Sequence, residues 1–254
     1  METFAIALRD WRTRRRLSQL ELALRAGTTQ RHVSFMERGR SVPGRGMVVR
    51  VAESLELPLR ERNGLLLAAG YAPSYPETTL DDPRLRPILD GMQRLLDGHR
   101  PYPAIVVDKY GTLVAHNDRF TVLTEGVDAD LLRAPCNVLR LALHPRGMAP
   151  RIHNLGDWAR HILERLTQEI ARTPDDRLSE LLAELEGYVP APSLPEDGHL
   201  GFAVPVRLSS SLGELRLLTA ITTFATAVDV TVSELKLETF LPADDATAAA
   251  LGAP

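Results

Sequence analysis

Apolar residues recur at helical spacing through the first 70 positions of the chain. Phe4, Leu8 and Trp11 fall at i, i+4 and i+7, one face of a helix. Ser18-Gln19-Leu20-Glu21 has the form of a capping box, in which the hydroxyl accepts from the amide three residues on while the glutamate reaches back. Leu20, Ala23 and Leu24 then predict the buried stripe of a short helix that Gly27 ends. Thr29 reads as the N-cap of a third helix, with Val33 and Met36 inward and Gly39 at its close. A fourth helix is expected near 46–56 and a fifth over 58–69, with Gly70 beyond its end. Five short helices on tight connections predict an all-α bundle over residues 1–71.

Residues 72–79 hold two prolines and no periodic pattern, so a linker is placed at 72–83. The pattern then changes. A helix is expected over 84–97, followed by strand-like runs at 102–108 and 112–116 around Lys109-Tyr110-Gly111. Helical periodicity returns at 137–143, 155–171 and 174–186, the last with Thr173 as its cap, Pro174 at its start and Gly187 at its close. Three further strands are expected at 202–208, 214–224 and 235–241. The stretch 231–234 reads as a helix cap or as strand. Strand is preferred, because Leu235 and Leu237 alternate with Lys236 and Glu238. Strands on both sides of a helical middle predict an α+β domain on an antiparallel sheet over 84–254.

Composition adds limits. Of the 254 residues 44% are apolar and 25% charged, as in ordinary globular proteins. No run of 18 apolar residues offers a membrane span, and Met1-Glu2-Thr3-Phe4 lacks the opening of a signal peptide, so a cytoplasmic protein is expected. The single cysteine, Cys136, has no partner for an internal disulfide. The net charge of −3 hides a division. Residues 1–78 carry 13 arginines against 8 acidic side chains, while the remainder carries 17 basic and 25 acidic ones. Only the first part suits a polyanion.

A helix that reads DNA places its first turns in the major groove, with polar or cationic side chains toward base edges and neighbouring cations on phosphates. The third helix fits. Arg31, Ser34 and Arg38 share the face opposite Val33 and Met36, and Gln30 sits in the first turn. Gln and Arg match the edges of adenine and guanine respectively. Gln19 opens the preceding helix, where free amides attract a phosphate. Arg38, Arg40 and Arg45 are placed in the following loop, as contacts to the flanking backbone. The run Leu17-Ser18-Gln19-Leu20-Glu21-Leu22-Ala23, Ala26-Gly27-Thr28-Thr29-Gln30, Val33 and Met36-Glu37-Arg38-Gly39 resembles the lambdoid repressor-like (Xre-type) helix-turn-helix. That resemblance implies a double-stranded DNA operator as partner. It also implies phosphate contact by Gln19, base reading by Gln30 and Arg31, and an Arg12–Glu37 ion pair bracing the motif. Phe35 departs from the family, where a polar base-reader often stands, and suits a thymine methyl instead.

The second half carries another resemblance. Leu143-His144-Pro145-Arg146-Gly147, Pro150-Arg151-Ile152-His153-Asn154-Leu155, Asp157-Trp158-Ala159, residues 181–188, Val204-Pro205-Val206 and residues 219–244 are similar to the MmyB-like ligand-binding domain. Ala225 stands where the family usually has glycine, and 212–218 holds fewer aromatics than the family. The resemblance implies a PAS-like fold, an Xre-type domain in the same order, and a small apolar ligand of fatty-acid type. Candidate lining residues are Trp158, Ile162, Leu166, Leu217, Ile221 and Phe224, with core packing as the plainer role for each. Arg151 and His153 could pair with a ligand carboxylate or cap local carbonyls. His153, Asp157 and His161 have the spacing of metal ligands on one helix, but Asn154 reads as that helix's N-cap and leaves His153 outside it. No phosphate-cradling glycine loop or nucleophile elbow is present, and nothing marks Cys136 as activated, so no enzyme is expected. The expectation is a homodimeric, ligand-responsive transcription regulator. Its alternative is a protein-binding scaffold or antitoxin-like module whose second domain only dimerises.

Overall fold

The computed structural model describes residues 3–189, 204–224 and 226–252. Five helices open the chain: α1 (Phe4–Arg14), α2 (Gln19–Arg25), α3 (Gln30–Glu37), α4 (Arg45–Ser54) and α5 (Leu59–Ala68). Local chemistry sets their ends. The capping box forms in both directions, with the Glu21 amide donating to Ser18 Oγ at 3.1 Å and the Ser18 amide donating to Glu21 Oε2 at 2.7 Å. Thr29 Oγ1 accepts from the His32 amide at 3.1 Å and starts α3. Gly27 and Gly39 follow α2 and α3 at φ +62° and +65°, a backbone region that costs glycine nothing. Leu8, Leu22, Val33, Met36, Val48 and Val51 meet in a core from which solvent is excluded.

The buried stripe of α2 differs from expectation. Leu22, Ala23 and Ala26 face the core, while Leu20 and Leu24 are 51% and 72% exposed. A two-turn helix with apolar residues at 20, 22, 23, 24 and 26 offers two possible inner faces. Its packing on α3 and α4 selects one of them. Arg45 also moves: it is the first residue of α4, after Gly44, and not part of the loop.

A turn of 3-10 helix (Pro83–Leu85) leads into α6 (Arg86–Gly98), then β1 (Ala104–Val107), β2 (Leu113–His116), α7 (Phe120–Leu123), α8 (Ala129–Leu132) and α9 (Val138–Leu143). The chain continues through α10 (Leu155–Arg172), α11 (Asp176–Glu186), β3 (Val206–Ser210), β4 (Gly213–Thr223), α12 (Val230–Glu234), β5 (Lys236–Pro242) and α13 (Asp245–Gly252). Among the described residues the five strands form one antiparallel sheet in the order β2-β1-β5-β4-β3, within the α+β architecture expected. Ile105, Glu238 and Ile221 lie in one cross-strand row; Phe240 and Thr219 lie in the next on the same face. Against that face pack α9 and α10, sharing a core with Leu141, Leu166, Leu208 and Leu217.

Several boundaries shift for local reasons. The turn after β1 is closed by Asp108, whose Oδ1 accepts from the Tyr110 and Thr112 amides at 2.8 Å, so both flanking strands are shorter than 102–108 and 112–116. Asp175, and not Thr173, caps α11, accepting from the Arg177 and Leu178 amides. Residues 231–234 form part of helix α12 and not strand, because Asp229 Oδ1 accepts from the Val232 amide and caps that turn. The alanine-rich tail becomes α13, started by Asp244 accepting from the Thr247 amide. Residues 202, 203 and 225 lie outside the described residues.

The chain divides into two units, one of residues 1–80 with 225–233 and one of 81–224 with 234–254. Inside the first unit, Asp229 Oδ2 accepts from the Thr78 hydroxyl at 2.6 Å and from its amide at 3.2 Å, both groups being buried. The Val230 amide donates to the Pro76 carbonyl at 2.8 Å.

Candidate functional sites

Helix α3 is held by two buried residues, Val33 and Met36, and by a polar brace at its end. Arg12 Nε and Nη2 donate to the two Glu37 carboxylate oxygens at 2.5 and 3.1 Å, and Arg12 Nη1 donates to the Leu17 carbonyl at 2.7 Å. Gln19 Nε2 completes the brace, donating to Glu37 Oε2 at 2.6 Å. The Glu37 side chain is only 3% exposed, so its charge depends on these donors. Gln19 thus spends its amide nitrogen on positioning α3.

The other face of α3 is open. Gln30, Arg31 and Arg38 are exposed, and Ser34 and Phe35 half-buried. Arg38 Nη2 donates to Ser34 Oγ at 2.6 Å and Nε to the Ser34 carbonyl at 3.0 Å. The guanidinium groups of Arg31 and Arg38 lie 5.1 and 5.6 Å from the Phe35 ring centroid. Such contacts hold two flexible cations over one aromatic surface, each with about 0.5–1 kcal/mol at an exposed site. Thr29 is consumed as a cap. Arg40 is exposed past Gly39, and Arg45 Nη2 donates to Ser74 Oγ at 2.9 Å. The structure gathers Gln30, Arg31, Ser34, Phe35 and Arg38 on one surface, and gives Gln19 and Arg45 one hydrogen bond each inside the unit.

The second unit contains a cavity of about 290 Å³ between the sheet and the helices packed on it. That is close to the lower end of the roughly 300–1,000 Å³ typical of small-molecule sites. Ile105, Val206, Ile221 and Phe240 supply its sheet wall, and Val138, Leu141, Trp158 and Ile162 its helical wall. Of the residues expected to line it, Trp158, Ile162 and Ile221 do so. Leu166 and Leu217 are buried in the core away from the lining, and Phe224 is half-buried beyond the end of β4.

Arg151 and His153 take the local role. Arg151 donates to the Ser209 carbonyl at 3.0 Å and to the Leu123 carbonyl, tying β3 to the end of α7. His153 shares a hydrogen bond of 2.7 Å with Ser209 Oγ. Neither lines the cavity. Asn154 occupies the N-cap position of α10, but its side chain donates to the Pro205 carbonyl and accepts from the Arg207 amide, fastening α10 to β3.

Four polar residues do line the cavity: His161 and Arg165 on α10, Thr219 on β4 and Glu238 on β5. Sequence reasoning missed them as a set. The signal lay in parity: Glu238 shares its strand face with Phe240, and His161 and Arg165 continue the helical face of Trp158 and Ile162 at i+3 and i+7. Burial pushes the Glu238 carboxyl above its ordinary value, opposed by Arg165. Arg165 Nη2 stands 3.7 Å from Glu238 Oε1, beyond a hydrogen bond. Among the described residues Thr219 Oγ1 is buried without a hydrogen-bond partner. Among the described residues no cluster of three or more His, Cys, Asp or Glu could hold a metal ion. Cys136 is buried, which pushes its thiol up and away from thiolate chemistry.

Residues 88–253 match the model of the MmyB-like transcription regulator ligand binding domain, and residues 8–62 match a helix-turn-helix model. The uncharacterized HTH-type transcriptional regulator y4dL of Sinorhizobium fredii (strain NBRC 101917 / NGR234) is 46% identical over 52 residues. Those residues are 20% of this chain and 26% of that protein. No described helix is long and apolar enough to cross a membrane.

Proposed function

Because the chain belongs to the family of the MmyB-like transcription regulator ligand binding domain and carries a helix-turn-helix ahead of it, we propose that it regulates transcription by binding a specific duplex operator, under control of a small apolar ligand. The observation that carries this reading is the exposed face of α3. Its Gln30 and Arg31 have the donor and acceptor sets that read adenine and guanine, on a helix whose orientation is set by the Arg12–Glu37–Gln19 brace. The cationic balance of residues 1–78 supplies the attraction to phosphate that such binding needs.

The apolar walls around Trp158, Ile162 and Ile221 favour an aliphatic ligand of fatty-acyl type. A ligand acts on DNA affinity only if it binds the competent and incompetent arrangements unequally. A homodimer would set two copies of α3 in successive major grooves, about 34–36 Å apart along the duplex. Selection of bound duplexes from a random pool tests the reading: it should return a motif with two related half-sites. Recovery of unenriched sequence, with binding that does not weaken as salt rises, would overturn it.

A further inference from the structure

The polar groups of the cavity restrict what its ligand carries at one end. Glu238 lies on the central strand β5 between Ile105 and Ile221, so both of its direct cross-strand neighbours are apolar, with His116 one strand further along the row. Glu238 is 8% exposed, and among the described residues its carboxyl has the 3.7 Å contact with Arg165 but no hydrogen bond. A carboxyl costs several kcal/mol to bury unless something pairs with it, so a residue of this kind on a cavity wall needs a partner. Arg165 is the nearest cation, at 3.7 Å, and is itself over a third exposed. Lys236, two residues back on the same strand, is committed to Glu169 at 2.9 Å. Diagonally across from Glu238, on β4, the Thr219 hydroxyl is buried with no hydrogen-bond partner among the described residues. The wall thus offers an acceptor at Glu238 and a hydroxyl at Thr219, at diagonal positions of neighbouring strands on one face.

We propose that the cavity receives an aliphatic ligand whose head is uncharged and both donates and accepts hydrogen bonds, a primary amide or an alcohol, in preference to a free carboxylate. This rests on the reading of the second unit as a small-ligand site. The donor of the head meets the Glu238 carboxyl, and its acceptor takes the Thr219 hydroxyl proton. An anionic head is repelled by Glu238, and Arg165 is already engaged by that residue. An ammonium head finds Glu238 but is opposed by Arg165. A neutral head leaves the Arg165–Glu238 pair intact while filling the unused bonding capacity of Glu238 and Thr219.

The test uses the full chain and four probes of equal chain length: decanamide, 1-decanol, decanoate and decylammonium, titrated calorimetrically at neutral pH. Decanamide and 1-decanol should bind at least tenfold more tightly than decanoate or decylammonium. Glu238→Gln, nearly equal in shape, should bring decanoate within about threefold of decanamide by removing the repelling charge. Thr219→Val should weaken decanamide five- to tenfold. If decanoate binds the parent as tightly as decanamide, the assignment of the head is wrong although the site stands. If none of the four binds, the cavity is not a small-aliphatic site and both readings fall.

Discussion

Arg31 and Arg40 differ in what they can contribute, although both are exposed arginines within ten positions. Arg31 lies on the first turn of α3, over the Phe35 ring, and is a residue that the proposed function assigns to base edges. Arg31→Ala should weaken operator binding by roughly 1–3 kcal/mol and relax preference at one base position, as read by competition between operator variants. Glu238 provides a different check. Its carboxyl is raised mainly by burial, with Arg165 and Lys236 opposing and Glu169 adding to the rise. The folded state therefore holds this proton more tightly than the unfolded chain does. Stability from the neutral form is complete below the ordinary carboxylate range and is lost as pH climbs through the raised folded value. Glu238→Gln should match the parent near pH 4 and exceed it near pH 8 by about 1 kcal/mol, or roughly 2–4 °C in Tm. Thermal unfolding at the two pH values decides this; a difference that shrinks as pH rises would contradict it.

Helix α2 shows how an element is specified at its ends more firmly than along its length. Its start is closed by the reciprocal Ser18–Glu21 bonds, and the same contact holds the Glu21 carboxyl below its usual value, chiefly through the Ser18 amide and hydroxyl. Ser18→Ala should cost about 0.5–2 kcal/mol in chemical denaturation, with DNA affinity falling only as the folded fraction falls. The face that α2 buries was open to two readings until α3 and α4 were in place. At the other end of the chain, α12 depends on Asp229 twice, as its cap through the Val232 amide and as acceptor for Thr78. A single side chain there closes one helix and fastens a stretch 151 residues away in sequence.

At the scale of the whole molecule the charge division is the simplest observable. A regulator reaching DNA through the cationic first unit should lose affinity steeply with salt. Arg40→Ala should weaken all sequences alike and lower the slope of log K against log salt by about 1. A slope unchanged in that variant would remove Arg40 from the phosphate contacts. The cavity is a property of this scale too. It exists because β5 lies between β1 and β4, which brings Ile105, Glu238 and Ile221 into one row from three separate parts of the chain.

What the amino-acid order determined by itself was local: the five opening helices, the capping box at Ser18, the Thr29 cap, and the outward set Gln30, Arg31, Ser34 and Arg38. Each closes its hydrogen bonds within three or four residues, or follows helical phase from residues that can face only one way. The Arg12–Glu37 pair was reached through the family resemblance. Tertiary structure alone decided that Leu22 and not Leu20 is buried, and that Gln19 braces Glu37. It also turned Arg151 to the carbonyls of Leu123 and Ser209, and brought His161, Arg165, Thr219 and Glu238 to one cavity. These depend on strand order and helix docking, which bring together groups from separate elements, and no spacing within a single element encodes that meeting.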